Sequence, residues 1–190
     1  MPVSISKNRN GEPALKAGLF FILYFRKIQK QMEKSDQSVH SICIAKIKRS
    51  TMKPYDFKWT QFYENDSKNL FKHYPFELDN EELIISSTII DSENFSILTT
   101  RKLITLENGI LFYGDLKNAK DQFHGDFKSE KKEFTFGSVK LENGIILRYF
   151  IETGKASMVM IHSVWTVISI QKSSEESIIK ATRISNKKLQ

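Results

Sequence analysis

A chain of 190 residues, 40% hydrophobic and 27% charged, is long enough for one sizeable core and short for two full domains. Fourteen Phe, six Tyr and two Trp exclude disorder as its main state, and a single Cys, Cys43, excludes an internal disulfide and a cysteine-built zinc site. The net charge of +7 sits in the first sixty residues, which hold twelve Lys/Arg against four acids; residues 61–190 hold seventeen against eighteen.

Such asymmetry marks either a basic arm for an anionic partner or the solvated face of helices packed on a neutral body. Pro13 suits a first helical turn, and Leu15, Leu19, Ile22, Leu23, Phe25, Ile28 and Met32 recur near helical spacing. One helix is therefore predicted from Pro13 to Lys34, apolar at its start and basic at its end. Its apolar run, Ala17 to Phe25, is about half a membrane span. The run passes into RKIQKQMEK without a small-residue cleavage pattern, so neither a signal peptide nor a spanning segment is read here. Arg26, Lys27, Lys30 and Lys34 are the candidate contacts with an anionic surface.

In SICIAKIK the spacing of Ile42, Ile44 and Ile47 leaves both a strand and a helical turn open. A helix is then predicted from Asp56 or Thr60 through Trp59, Phe62, Tyr63, Leu70 and Phe71, stopping before Pro75. Residues 1–75 thus read as a mainly helical segment.

From Phe76 the pattern turns to strands. ELIISSTII ends at the turn-forming Asp91–Asn94, and FSILTT and RKLITL read as one continuing strand that meets Asn108-Gly109, a hairpin signal. ILFYGDL returns; KNAKDQFHGDF is less regular; EFTFGSVKL then leads to Asn143-Gly144, and IILRYFIE returns again. The echo of ITLENGILFY in VKLENGIILRYF is shared hairpin chemistry, and the whole is an antiparallel meander of about six or seven strands. After Gly154, apolar Met158, Ile161, Val164, Trp165 and Ile168 fit one helical face, with a strand as the alternative because of the β-branched content. Trp165, Met158 and Met160 are expected in the core, and residues 172–190 form a polar tail.

Leu98-Thr99-Thr100-Arg101-Lys102-Leu103-Ile104 resembles the LT-x-x-R-L-I strand of bacterial pleckstrin-homology-like (PH-like) and GRAM-type domains, with the basic pair one place along. ETGKASMVMIHSVW is similar to their last strand passing into a closing helix. The resemblance covers residues 76–170 and implies an α+β fold: an N-terminal helical segment, then an antiparallel PH-like barrel over 76–171 closed by a C-terminal helix. Such domains bind phosphoinositides in some families and proteins in many others. Lipid-binding members cluster Lys and Arg at the first hairpin, where this chain has Asp91-Ser92-Glu93-Asn94, two acids and no base.

The chemistry-bearing residues are sparse. His40, His73, His124 and His162 are scattered, and the one local cluster is Asp121, His124 and Asp126, a carboxylate–imidazole group that suits proton transfer or a metal but reads equally as a solvated turn. No phosphate-binding glycine loop and no nucleophile elbow occur. Glu81-Glu82 and Lys131-Lys132 read as solvated pairs, Cys43 as a buried thiol, and the aromatics of Tyr55–Trp59 as packing without a nucleic-acid motif. These readings converge on a non-catalytic cytoplasmic binding protein without cofactor or metal, an adaptor or immunity-type inhibitor with a protein partner. Weak anionic-membrane contact through the basic helix is the alternative, and an enzyme using Asp121, His124 and Asp126 is third.

Overall fold

The computed structural model describes residues 34–187. The expected Pro13–Lys34 helix, apart from Lys34 itself, lies outside the described residues. Helix α1 (Asp36–Ser50) starts at Ser35, whose hydroxyl accepts from Ser38 N at 3.3 Å. SICIAKIK is therefore helical, and Val39, His40, Cys43, Ile44 and Ile47 form its buried face.

The helix expected through Trp59 and Phe71 does not form. The segment contains a short strand, β1 (Thr60–Phe62), and one 3-10 turn, Lys68–Phe71. The cause is tertiary: Glu152 captures the backbone N–H groups of Lys58, Trp59 and Thr60 at 2.8–3.0 Å, and these no longer serve a helix. β1 pairs with β2, so the expected boundary at residue 76 falls inside one compact unit, Lys34–Glu176.

Strands β2 (Ile84–Ile89), β3 (Phe95–Thr99), β4 (Lys102–Glu107) and β5 (Ile110–Asp115) join β1 in a five-stranded antiparallel sheet in chain order. β6 (Ala119–Phe123), β7 (Phe134–Leu141) and β8 (Ile146–Glu152) form a second, three-stranded one. The class is α+β, as expected, but the barrel is corrected: among the described residues there are two open sheets, and no ladder closes them. They meet through side chains instead, with Phe150 N donating to the buried Ser96 Oγ at 2.9 Å and Arg148 pairing with Glu107 at 3.1 Å.

FSILTT-RKLITL is two strands rather than one. Thr99 Oγ1 accepts from Arg101 N and Lys102 N, at 3.1 and 2.7 Å, and this hydroxyl-built turn reverses the chain without Gly, Pro, Asn or Asp. The β4–β5 hairpin is as expected: Glu107 faces Ile110, and Asn108 (φ 51°) and Gly109 (φ 75°) take the left-handed conformations of a two-residue turn. β7 and β8 also pair antiparallel, yet their connection is longer. Asn143 uses its side chain to accept from Ile145 N at 3.0 Å, and Lys140 faces Ile146.

Strands β2–β4 of the five-stranded sheet are covered on both faces. One face packs Ile85, Leu98 and Leu103 against Cys43 and Ile47 of α1, Val139 and Tyr149 of the second sheet, and Met160 and Val164 of helix α2 (Ser157–Lys187). The other face packs Ile84, Phe95, Ile97 and Ile104 under Tyr63, Phe71, Tyr74 and Phe76. Tyr74 meets Phe95 edge to face at 4.9 Å. The region around 154–170 is helix, and α2 runs on to Lys187 through the expected polar tail. Trp165 is not in the core as expected: it is 52% exposed, whereas Met160 is fully buried and Met158 half-buried.

Candidate functional site

A sheet edge is a site only if its backbone groups are open, and three of the four edges here are covered. β1 is three residues long and is held by the Glu152 carboxylate. β8 lies on the first sheet through Phe150 and Arg148. β6 runs beside α2, with Gln122 Nε2 donating to Ile161 O and Lys172 Nζ to Lys120 O. The fourth edge, β5, has no strand paired on its outer side among the described residues.

The side chains of β5 match that open edge. Leu111 packs against the aromatic-covered core, while Ile110, Phe112 and Tyr113 are 61, 47 and 65% exposed, on both faces of the strand. Ile145 and Ile146, at the start of β8, are exposed as well. Between Ile110 and Gly114 there is no Lys, Arg or Pro, the residues that usually protect a solvent-facing edge. The hairpin reading of ILFYGDL placed the strand but could not show that it ends the sheet; the absence of a protecting residue was the available signal.

The basic pair Arg101-Lys102, on which the expected resemblance rested, is occupied internally. Arg101 binds Asp36 of α1 through Nε and Nη2, the latter at 2.6 Å, and Asp79 at 3.1 Å. The hydrogen bond to Asp36 dominates in holding the guanidinium well above its ordinary range. Lys102 reaches Glu82 at 3.2 Å. Glu82 is not solvated, in contrast to the expectation for Glu81-Glu82: it is fully buried and also accepts from Thr99 Oγ1 at 2.5 Å and Asp79 N at 3.1 Å. These ion pairs fasten α1 to the β3–β4 turn and leave neither base free for a phosphate.

Among the candidate anionic contacts, Lys34 is exposed, and Arg26, Lys27 and Lys30 lie outside the described residues. Of the proposed catalytic group, Asp121 belongs to β6 rather than a loop, facing Lys140 in the ladder, while Asp126 is exposed in the β6–β7 connection. His124 has a buried Nδ1 without a hydrogen-bond partner, and desolvation lowers its pKa below the ordinary imidazole value. His162 is lowered as well, by desolvation first and then by Lys46 and His124. Among the described residues no three His, Cys, Asp or Glu side chains are grouped so as to hold a metal. Cys43 is the expected buried thiol, pushed up to about 12 by burial, which opposes thiolate chemistry.

With this geometry in hand, known proteins supply no further guide. No family model, curated protein or solved structure matches this chain. Among the described residues no helix is long and apolar enough to cross a membrane.

Proposed function

We propose that the chain is a non-catalytic, cytoplasmic binding protein on a PH-like plan that docks an extended segment of a protein partner along β5. A four-strand meander (β2–β5), a three-strand meander (β6–β8) and then a helix support the PH-like reading, with the Leu98–Ile104 motif at the β3–β4 turn. The observation that carries the function is the open β5 edge with Ile110, Phe112 and Tyr113 exposed. An added strand satisfies its free N–H and C=O groups and covers alternate side chains, so main-chain bonds supply affinity and side-chain contacts supply specificity. Adaptors and inhibitors of the immunity type work through such contacts. Phosphoinositide binding at the first hairpin is disfavoured by Asp91 and Glu93, which stand at the β2–β3 tip without a neighbouring base.

The test uses the full chain as bait in its native host, beside a Phe112→Lys/Tyr113→Lys variant. Both side chains are exposed, so the variant is expected to melt within a few degrees of wild type, roughly the scale of a surface change. It is also expected to lose the protein that wild type captures, and that protein should slow β5 amide exchange when bound. A partner retained in full by the double variant refutes the β5 site.

A further inference from the structure

We propose that the pocket between the β6–β7 loop and the start of α2 binds a phosphate-bearing anion, independently of any partner on β5. The pocket has a volume of about 720 Å³, within the usual range for small-ligand sites. Phe127 and Met158 pack against the main core and form its floor. Lys128, Lys131, Lys132 and Lys155 are exposed around them and form its rim.

Charge and tethering distinguish this rim from an ordinary solvated loop. Of the two acids on the pocket, Glu133 is paired with Lys58 at 2.8 Å, which leaves Glu130 against four lysines. No carboxylate pairs with any of the four among the described residues. Composition does not account for this, because residues 61–190 carry slightly more acids than bases. The walls are also held in place. Gly154 N donates to Phe127 O and Thr153 N to Glu133 O, each at 3.0 Å, and Thr153 Oγ1 donates to Lys132 O at 2.5 Å. Four exposed lysines on the tethered walls of one concavity give it a net positive field, which a multivalent anion neutralises.

The residue type selects the ligand. Lysine acts as a point charge and suits a multiply charged phosphate, whereas a planar carboxylate is better matched by arginine, of which this pocket has none. α2 begins beside the pocket, and its N-terminal partial charge has the same sign as the lysines. The apolar floor accepts whatever carbon skeleton the phosphate carries. A soluble phosphate compound and a phospholipid headgroup share this chemistry.

Two assays separate the sources, each with the full chain. Amide chemical shifts are followed during titration with sodium pyrophosphate, and flotation is measured with phosphatidylcholine vesicles containing phosphatidic acid. The expected pyrophosphate result is saturable shifts confined to residues 127–133 and 153–158. Affinity should fall about tenfold in Lys131→Gln/Lys132→Gln, the scale of two lost charge contacts. Lys140→Gln, at an exposed position on β7, should bind as wild type does. A pyrophosphate response assigns a soluble phosphate. Flotation that is reduced in the double variant, with no pyrophosphate response, assigns a lipid headgroup. Shifts spread evenly over exposed lysines, or a double variant that binds as well as wild type in both assays, overturn the proposal.

Discussion

The Glu152 carboxylate ends β8 and accepts from three successive backbone N–H groups, those of Lys58, Trp59 and Thr60. One side chain thereby replaces the partners that a helix would have supplied and docks β1 on the sheet. Glu152→Ala leaves those donors without an acceptor in a partly buried place. It should cost about 1–3 kcal/mol, the range for an unsatisfied buried group. The readout is a lower urea midpoint at an unchanged slope, since the surface exposed on unfolding barely changes. An unchanged midpoint means that water satisfies these groups and that Glu152 is not the clamp. Glu82 follows the same logic: its burial beside Lys102 makes the β3–β4 turn a point where charge is committed to structure and withdrawn from binding.

At the scale of the element, α2 buries Ile161, Val164 and Ile168 of the expected stripe but turns Trp165 outward and leaves Met158 half-buried. Val159, Met160, Val164 and Val167 are fully buried, while His162, Trp165, Ser169 and Lys172 fall on the outward side at steps of three and four. Trp165 shares that side with the polar residues, and Lys46 of α1 lies 5.6 Å above its ring. Trp165→Ala should therefore cost only about 1–2 kcal/mol for the covered half of its ring, whereas Met160→Ala should cost about 2–5 kcal/mol through the cavity it leaves. Thermal melts of the two variants decide the matter, and a larger loss for Trp165→Ala would place the wrong face of α2 against the core. The same comparison of faces separates the two ends of the large sheet. β1 is short and held by Glu152, and β5 is longer, apolar and open, which is why the binding site is assigned to β5.

Within the compact unit Lys34–Glu176, the five-stranded sheet is the middle layer between α1, the first part of α2 and the small sheet on one side and the aromatic segment from Tyr63 to Phe76 on the other. His124 and His162 lie on this body with pKa values below the ordinary imidazole value, mainly through desolvation. The unfolded chain, whose histidines titrate near about 6.5, therefore binds more protons than the folded one. Their contribution to stability is fully present above that value and is lost as pH falls from it through the lowered folded values. The urea midpoint should drop between pH 7.5 and 5.5, and a His124→Gln/His162→Gln variant should show a smaller drop than wild type. Equal drops in the two proteins would assign the pH dependence to carboxylates instead.

Local grammar alone determined strand β2, the Asn108-Gly109 hairpin of β4 and β5, the antiparallel β7–β8 pair and the helix after Gly154. In each, the partner lies nearby in the chain or the periodicity runs long enough to average out exceptions. The tertiary structure decided the rest. Trp59, Tyr63 and Phe71 carry a helical spacing, but a carboxylate about ninety residues away takes the N–H groups of Lys58, Trp59 and Thr60, and a sheet face takes the rings of Tyr63 and Phe71. The Thr99–Lys102 reversal contains no turn residue of the usual kind and depends on a threonine hydroxyl together with acids from α1 and the Asp79–Glu82 segment. Neither the open edge of β5 nor the joining of Lys155 to Lys128, Lys131 and Lys132 around one pocket is a property of any short window. An edge is defined by the strand that fails to pair with it, and a charged pocket by loops that hydrogen bonds draw together across the fold.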